Sequence, residues 1–314
     1  MSSKVKTDIG ITSSKQKVIG VIVQILLYAF LFAVAISVLF PFYWMINSSL
    51  KSRSEYELNK PTFYPHKVEL YEAERTNEET GEVSTIKTII PKNYADAFNA
   101  GHLGRLFLNT MLVGIVSTLL SLVITVLTAF AFARLEFKGK NLLFAGLLAT
   151  MMIPGELFTI TNYITVNQFG WMKTYRVLIV PFLVSVFYIY LLRQNFLQIP
   201  NELYLAAKVD GTSDLKYLWK VMVPLSLPTL ISITILKMMG AWNSYVWPRL
   251  VANDDAHKLI TNGLRSANLI YEDGTTNFPV QMAAVALVSI PLFLVFIFLR
   301  KYIMKGVSRS GIKG

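Results

Sequence analysis

The sequence predicts an all-α membrane protein built on six transmembrane helices, and three observations carry that expectation. Hydrophobic residues make up 54% of the 314-residue chain and charged residues only 16%, where an ordinary soluble domain has about a quarter charged. The apolar residues gather into six stretches, each near the roughly 20 residues that a helix needs to cross the hydrocarbon layer. Finally, the formal net charge of +11 sorts almost wholly onto one side of those stretches.

Residues 18–46 form the first span, running through LLYAFLFAVAISVLFPFYWM. No small-residue cleavage site precedes a polar region here, so the stretch reads as a retained helix rather than a removed leader. The second span is expected near 105–133, with Arg105 as its one charge, at the outer edge. The third covers about 141–164 and includes MMIPGE, the fourth 174–196, the fifth 225–247 and the sixth 280–301. The resulting division is a tail of residues 1–17, the first helix 18–46, an outer segment 47–104, a five-helix core 105–301 that contains an inner segment 200–224, and a tail 302–314.

With the amino terminus inside, the inner segments are 1–17, 134–140, 193–224 and the tail from Arg300. They hold 16 Lys/Arg against five Asp/Glu, while the rest of the chain carries 14 of each. That sorting is what the positive-inside rule expects, and it places both termini in the cytoplasm. The basic balance is therefore a topology signal, and no nucleic-acid partner is expected. Of the outer segments, 47–104 contains the acidic run VELYEAERTNEETGEV, then turn and helix starts at Pro91 and Asn93. It reads either as a small external cap or as a loop.

Several chemistries are excluded. With no cysteine, the chain has no disulfide, thiolate site or cysteine nucleophile. It lacks a phosphate-binding G-x-x-x-x-G-K-[ST] loop and an H-E-x-x-H pair, so neither ATP hydrolysis nor zinc hydrolysis is expected in this chain. His66, His102 and His257 all fall in outer segments. The grouping of His257 with Asp254, Asp255, Glu272 and Asp273 matches no metal-ligand spacing, so no metal and no cofactor are expected on this chain. A six-span secondary transporter or channel with membrane prolines (Pro154, Pro181, Pro291) is the physical rival.

The inner segment 200–224 is the most informative. Pro200 suits the start of a helix, and Asp210 or Ser213 suits the cap of a second one, so two short helices should meet near Gly211. Leu205, Val209, Leu215, Trp219 and Met222 recur at three- to four-residue intervals and predict an apolar face against the membrane domain. Physical reasoning alone leaves open whether this pair docks a partner or floats at the lipid surface.

The same stretch resembles the signature loop of bacterial ABC importer permeases: A-A-x-x-x-G, nine residues, aliphatic-x-aliphatic, Pro. Ala206, Ala207, Gly211, Val221, Val223 and Pro224 fill that pattern. Ile199-Pro200, Glu202-Leu203 and Val209-Asp210-Gly211 sharpen the resemblance to carbohydrate importer permeases, the group of the smaller maltose permease subunit. FPFYWMINSSLKS, YADAFNAGHLGRLFLNTM with Asn109, AFAFARLEFKGK, MMIP at 151–154, Trp242-Asn243 with Pro248, and KGVSRSGIKG extend it over most of the chain.

The resemblance implies a type I ABC importer permease fold in a bacterial inner membrane. It also implies a second permease subunit, two ATPase subunits that carry ATP and Mg, and an external solute-binding protein that delivers sugar. Leu205, Ala206, Ala207, Asp210, Gly211, Thr212 and Ser213 become the ATPase-coupling residues. Leu205 stands where the family usually has glutamate, so an ion pair to the ATPase from that position is absent.

For the sugar path, side-chain chemistry selects Asn162, Tyr163, Asn167, Trp242, Asn243 and Tyr245, which offer aromatic faces, amides and hydroxyls near the outer halves of spans three and five. Lys237, inside a span, faces cargo, a partner carboxylate or the lipid surface.

Overall fold

The computed structural model describes residues 14–58, 60–76, 83–267, 269–271 and 273–308. The first helix, α1 (Ser14–Ser49), is 36 residues long. Its apolar side chains are exposed along most of its length, as a lipid-facing rod requires. Its inward contact is with the last helix, where Phe42 meets Phe293 edge-on at 5.5 Å. At its outer end a polar knot holds the chain: Asn93 Nδ2 donates to the carbonyls of Ser49 (2.9 Å) and Lys51 (2.8 Å), and Asn47 Nδ2 donates to Thr62 (3.0 Å).

A short helix α2 (Arg53–Tyr56) leads to an antiparallel hairpin, β1 (Leu70–Thr76) and β2 (Val83–Pro91), which pairs Glu72 with Lys87 and Thr76 with Val83. The segment 47–104 thus holds a hairpin, the one two-stranded sheet among the described residues of a largely helical chain. The β-branched run VSTIKTIIP of β2 is the signal for it; the acidic composition of the neighbouring strand obscured that signal. The connecting residues 77–82 of the acidic run lie outside the described residues, as do most of the amino-terminal tail and residues 309–314. As Pro91 and Asn93 predict, α3 (Lys92–Ala100) follows directly.

The second span is α4 (Leu103–Arg134), at the centre of the fold, and among the described residues only this span, α1 and the last helix are single rods. The other three are bent pairs, which together bring the number of spans to six by length and composition. The expected third span, 141–164, is α5 (Lys140–Thr150), a 3₁₀ turn (Gly155–Phe158) and α6 (Thr159–Gln168), with an 84° bend. Pro154 causes the break, having no N–H to donate and driving the residue before it out of helical geometry.

The fourth span is α7 (Tyr175–Ile179), a 3₁₀ turn (Val180–Phe182) around Pro181 and α8 (Val186–Leu197), bent by 45°. After it come α9 (Asn201–Val209), α10 (Asp214–Tyr217), a π turn (Leu218–Met222) and α11 (Val223–Leu225).

The fifth span, expected at 225–247, is the shorter α12 (Leu227–Trp242), set at 80° to the stretch before it. Pro224 and Pro228 flank that corner. Beyond it, α13 (Val246–Val251) and α14 (Ile260–Ser266) cap the outer side. The sixth span, α15 (Phe278–Ser308), extends past its expected end at 301, so the segment assigned as a tail begins as helix.

Asn109 and Thr110 of α4 fix the outer cap. Asn109 Nδ2 donates to the carbonyls of Ala256 (2.9 Å) and Lys258 (3.0 Å), the Tyr175 hydroxyl donates to Asn109 Oδ1 (2.8 Å), and the Ile260 N–H donates to Thr110 Oγ1 (2.8 Å). Close approach completes the joint: a Cβ on Gly263 would sit 2.3 Å from Leu106. Gly263→Ala is therefore expected to destabilise the protein by about 1–3 kcal/mol through overpacking, seen as a lower thermal midpoint in detergent. Gly146→Ala is the contrast, because a Cβ there meets nothing within 4 Å and a mid-helix alanine gains about 1 kcal/mol over glycine.

Candidate functional site

The inner two-helix segment is built around one left-handed residue. Gly211 has φ +70°, a conformation that costs an L side chain about 1–2 kcal/mol. The Gly211 N–H donates to the Lys208 carbonyl (3.0 Å) and the Thr212 N–H to the Ala207 carbonyl (2.9 Å). That pair of bonds is a Schellman motif, which closes α9 and satisfies its last carbonyls. Ser213 then caps α10, its hydroxyl accepting from the Lys216 N–H at 3.4 Å. Of the two predicted caps, Ser213 has this role, and Asp210 is the last residue before the glycine.

A polar bracket spans the corner. Asp214 Oδ1 accepts from Lys208 Nζ (2.8 Å) and from the Tyr204 hydroxyl (2.7 Å). The hydrogen bond to Asp214 also raises the Lys208 ammonium above its usual pKa. Neither Tyr204 nor Asp214 was among the expected site residues. Their i to i+10 separation across a chain reversal has no helical periodicity to reveal it.

The expected apolar face is corrected by the structure. Of Leu205, Val209, Leu215, Trp219 and Met222, only Met222 is buried; Val209 is 88% exposed. The residues that face the membrane core are Tyr217, Leu218 and Met222, with Tyr204 and Ala207 packed beside them against Phe196, Leu192 and Phe130. One continuous stripe cannot run across Gly211, because the chain turns there and restarts the helical phase. The segment therefore has a side held in the core and an uncovered side formed by Leu205, Ala206, Val209 and Asp210.

Arg134, at the last turn of α4, holds the start of this segment. Only 8% exposed, it donates from Nη2 to the carbonyls of Phe196 (2.9 Å) and Ile199 (2.5 Å), and from Nη1 to Asn201 Oδ1 (3.2 Å). In return, Arg193 Nε of α8 donates to the Phe132 carbonyl at 3.1 Å. Two helix carboxyl ends thus exchange cations, which neutralises the partial negative charge of their last carbonyls.

A second feature is a cavity of about 370 Å³ among α4, α7, α8, α12 and α13, lined by Ser117, Ser185, Tyr188, Lys237, Ser244 and Trp247 together with apolar residues. Of the seven expected path residues only Lys237 lines it. Trp242 is buried instead, its ring edge-on to Phe107 at 5.6 Å in the cluster with Leu103 and Ile260. Asn243 is exposed at the end of α12, and Tyr245 accepts a hydrogen bond from Arg249. On α6, Asn162 and Tyr163 are half-buried and Asn167 is exposed. No group of three or more His, Asp or Glu able to hold a metal occurs among the described residues.

Residues 121–309 match the family model described as binding-protein-dependent transport system inner membrane component. The arabinooligosaccharides transport system permease protein AraQ of Halalkalibacterium halodurans is 30% identical over 208 residues, covering 66% of this chain and 74% of that one. The sn-glycerol-3-phosphate transport system permease protein UgpE of Rhizobium meliloti is 30% identical over 227 residues, covering 70% and 80%.

The fold matches a chain in the crystal structure of a bacterial ABC transporter involved in the import of the acidic polysaccharide alginate, with TM-score 0.75, 20% identity and coverage of 93% of this chain and 99% of that one. A non-catalytic, multi-pass permease subunit is what these matches and the six-span fold have in common. With the family model covering more than half of its length, the chain belongs to the inner membrane components of binding-protein-dependent transport systems.

Proposed function

We propose that this chain forms half of the translocation path of an ATP-driven importer of saccharides, most simply oligosaccharides. It would pair with a second, different permease subunit above two ATPase subunits that hold ATP and Mg, and receive sugar from an external binding protein. The observation that carries the proposal is the two-faced inner segment: one side is locked into the membrane core through Tyr217, Leu218 and Met222, and the other is uncovered. A lipid-floating helix needs no such anchorage, and a secondary transporter needs no such handle. Among the relatives, AraQ is named for arabinooligosaccharides, which supports a saccharide cargo, and UgpE for the smaller polyol phosphate sn-glycerol-3-phosphate. The charge sorting of the sequence supports a cytoplasmic position for both termini.

In this mechanism Leu205, Ala206, Ala207, Asp210, Gly211, Thr212 and Ser213 form the ATPase-facing knuckle. Packed helices move as units, so a push on α9 passes through the Asp214 bracket into the buried helix after it and through Arg134 into α4. Reversing a conformational population from 1:99 to 99:1 requires about 5.5 kcal/mol of differential affinity, and a loosely held segment would dissipate it. Leu205, exposed next to Val209, offers the motor an apolar contact where a glutamate would offer charge.

The test is to co-express the two permeases with the ATPases, reconstitute them, and measure ATP hydrolysis as binding protein and a panel of sugars are added. Hydrolysis stimulated by loaded binding protein, together with sugar uptake, is expected. Sugar uptake by the permeases with no ATPase attached would sink the reading.

A further inference from the structure

Lys237 is the eleventh of the sixteen residues of α12, about 15 Å from its start at 1.5 Å per residue, half the thickness of the hydrocarbon layer. Its ammonium does not run out to the lipid surface. It donates to the carbonyl of Phe182, the last residue of the 3₁₀ turn at which the fourth span breaks. The break frees that carbonyl from a helical partner, and a cation is its natural substitute. Lys237 is thereby fixed to the wall of the 370 Å³ cavity, a volume in the range of small-molecule sites.

The rest of the lining is informative. No Asp or Glu lines the cavity, and Lys237 forms no ion pair among the described residues. Around it are Ser117, Ser185 and Ser244, the Tyr188 ring, and Trp247, whose indole N–H is committed to the Val177 carbonyl at 2.9 Å and whose ring is held edge-on by Phe182 at 5.6 Å. Hydroxyls and rigid aromatic faces suit a sugar ring. A single unpaired ammonium in a low-dielectric site is costly until an anion meets it.

We infer that Lys237 is the anion-recognition residue of a cargo site in this cavity, so that the saccharide carried bears a negative charge, as a carboxylate or a phosphate. The inference rests on the importer reading above and narrows its substrate class. Charge on the cargo supplies the partner that the chain withholds, and the Phe182 carbonyl holds the ammonium in place, leaving two N–H donors for the incoming anion.

The experiment uses the reconstituted complex and two probe pairs: trigalacturonate against its carboxyl-reduced neutral counterpart, and a hexose phosphate against the parent hexose. The wild type is expected to take up one anionic probe in preference to its neutral partner, and which pair responds distinguishes carboxylate from phosphate. In Lys237→Gln the anionic-to-neutral uptake ratio should fall by at least about tenfold, the scale of a lost charge-assisted hydrogen bond, and Lys237→Arg should restore most of it. Equal loss for charged and neutral cargo in Lys237→Gln, the mark of an ion pair with the other permease, overturns the inference, as does an unchanged ratio. A wild type that carries neutral sugars but neither anionic probe overturns it while leaving the importer reading intact. Uptake of no sugar of either class removes both.

Discussion

Gly211→Trp is expected to leave the permease inserted and assembled while reducing ATP-driven uptake by more than tenfold. Gly211→Ala and Gly211→Asn should fall in between, asparagine the milder. The reason is conformational. At φ +70° a Cβ on residue 211 meets nothing within 4 Å, so the chain itself has room for a side chain and the penalty comes from the backbone. Alanine carries the left-handed cost of about 1–2 kcal/mol, and asparagine tolerates that region better. Tryptophan adds bulk on the uncovered surface, next to Val209 and Asp210. If steric room alone mattered, alanine would be silent; if only strain mattered, tryptophan would match alanine. Uptake and binding-protein-stimulated ATP hydrolysis, measured together with the amount of assembled complex, separate these cases. Wild-type uptake by the tryptophan variant would show that this corner transmits no motion.

What could be read in the sequence follows from the range of each interaction. Span number and positions depend on local apolar runs, and the structure follows them closely for α1, α4 and α15. The bends at Met151–Pro154, at Pro181 and at Ser226 were announced by prolines, yet hydropathy averages over a break, so each bent pair read as a straight rod. The chain reversal at Gly211 was legible because glycine, Ser213 and the family-like spacing all fall within a few residues. Which side of each short helix faces inward was not, since the helical phase restarts after the glycine. Ser117, Tyr188 and Lys237 come from three different helices and Ser244 from the link after α12, and a cavity assembled at such distances leaves no periodic mark. Lys237 alone stood out, because an ammonium within a span is unusual wherever it points.

Arg134→Met should be the most damaging change outside the knuckle itself. It removes a buried cation that serves two carbonyls and the Asn201 side chain, and a hydrogen bond to a charged group contributes about 1.5–3 kcal/mol. The Ile199 carbonyl would lose its donor, and the Phe196 carbonyl would keep only the Ile199 N–H at 3.3 Å, just where that span passes into α9. Arg134→Lys should recover only part of the loss, because a point charge cannot reproduce the guanidinium fork. Arg193 provides the comparison: it donates to Phe132 from the opposite helix and stacks over Phe144 at 4.1 Å, so the double variant Arg134→Met/Arg193→Met should be less than additive if the two arginines form one joint. The measurements are the thermal midpoint of the purified complex and the ratio of sugar transported to ATP hydrolysed. A loose joint should lower both, since a knuckle no longer tied to α4 would move under the ATPase without moving the membrane helices. An unchanged ratio in a destabilised but assembled Arg134→Met complex would confine Arg134 to stability and shift the transmission of force to the Asp214 bracket and the buried helix behind it.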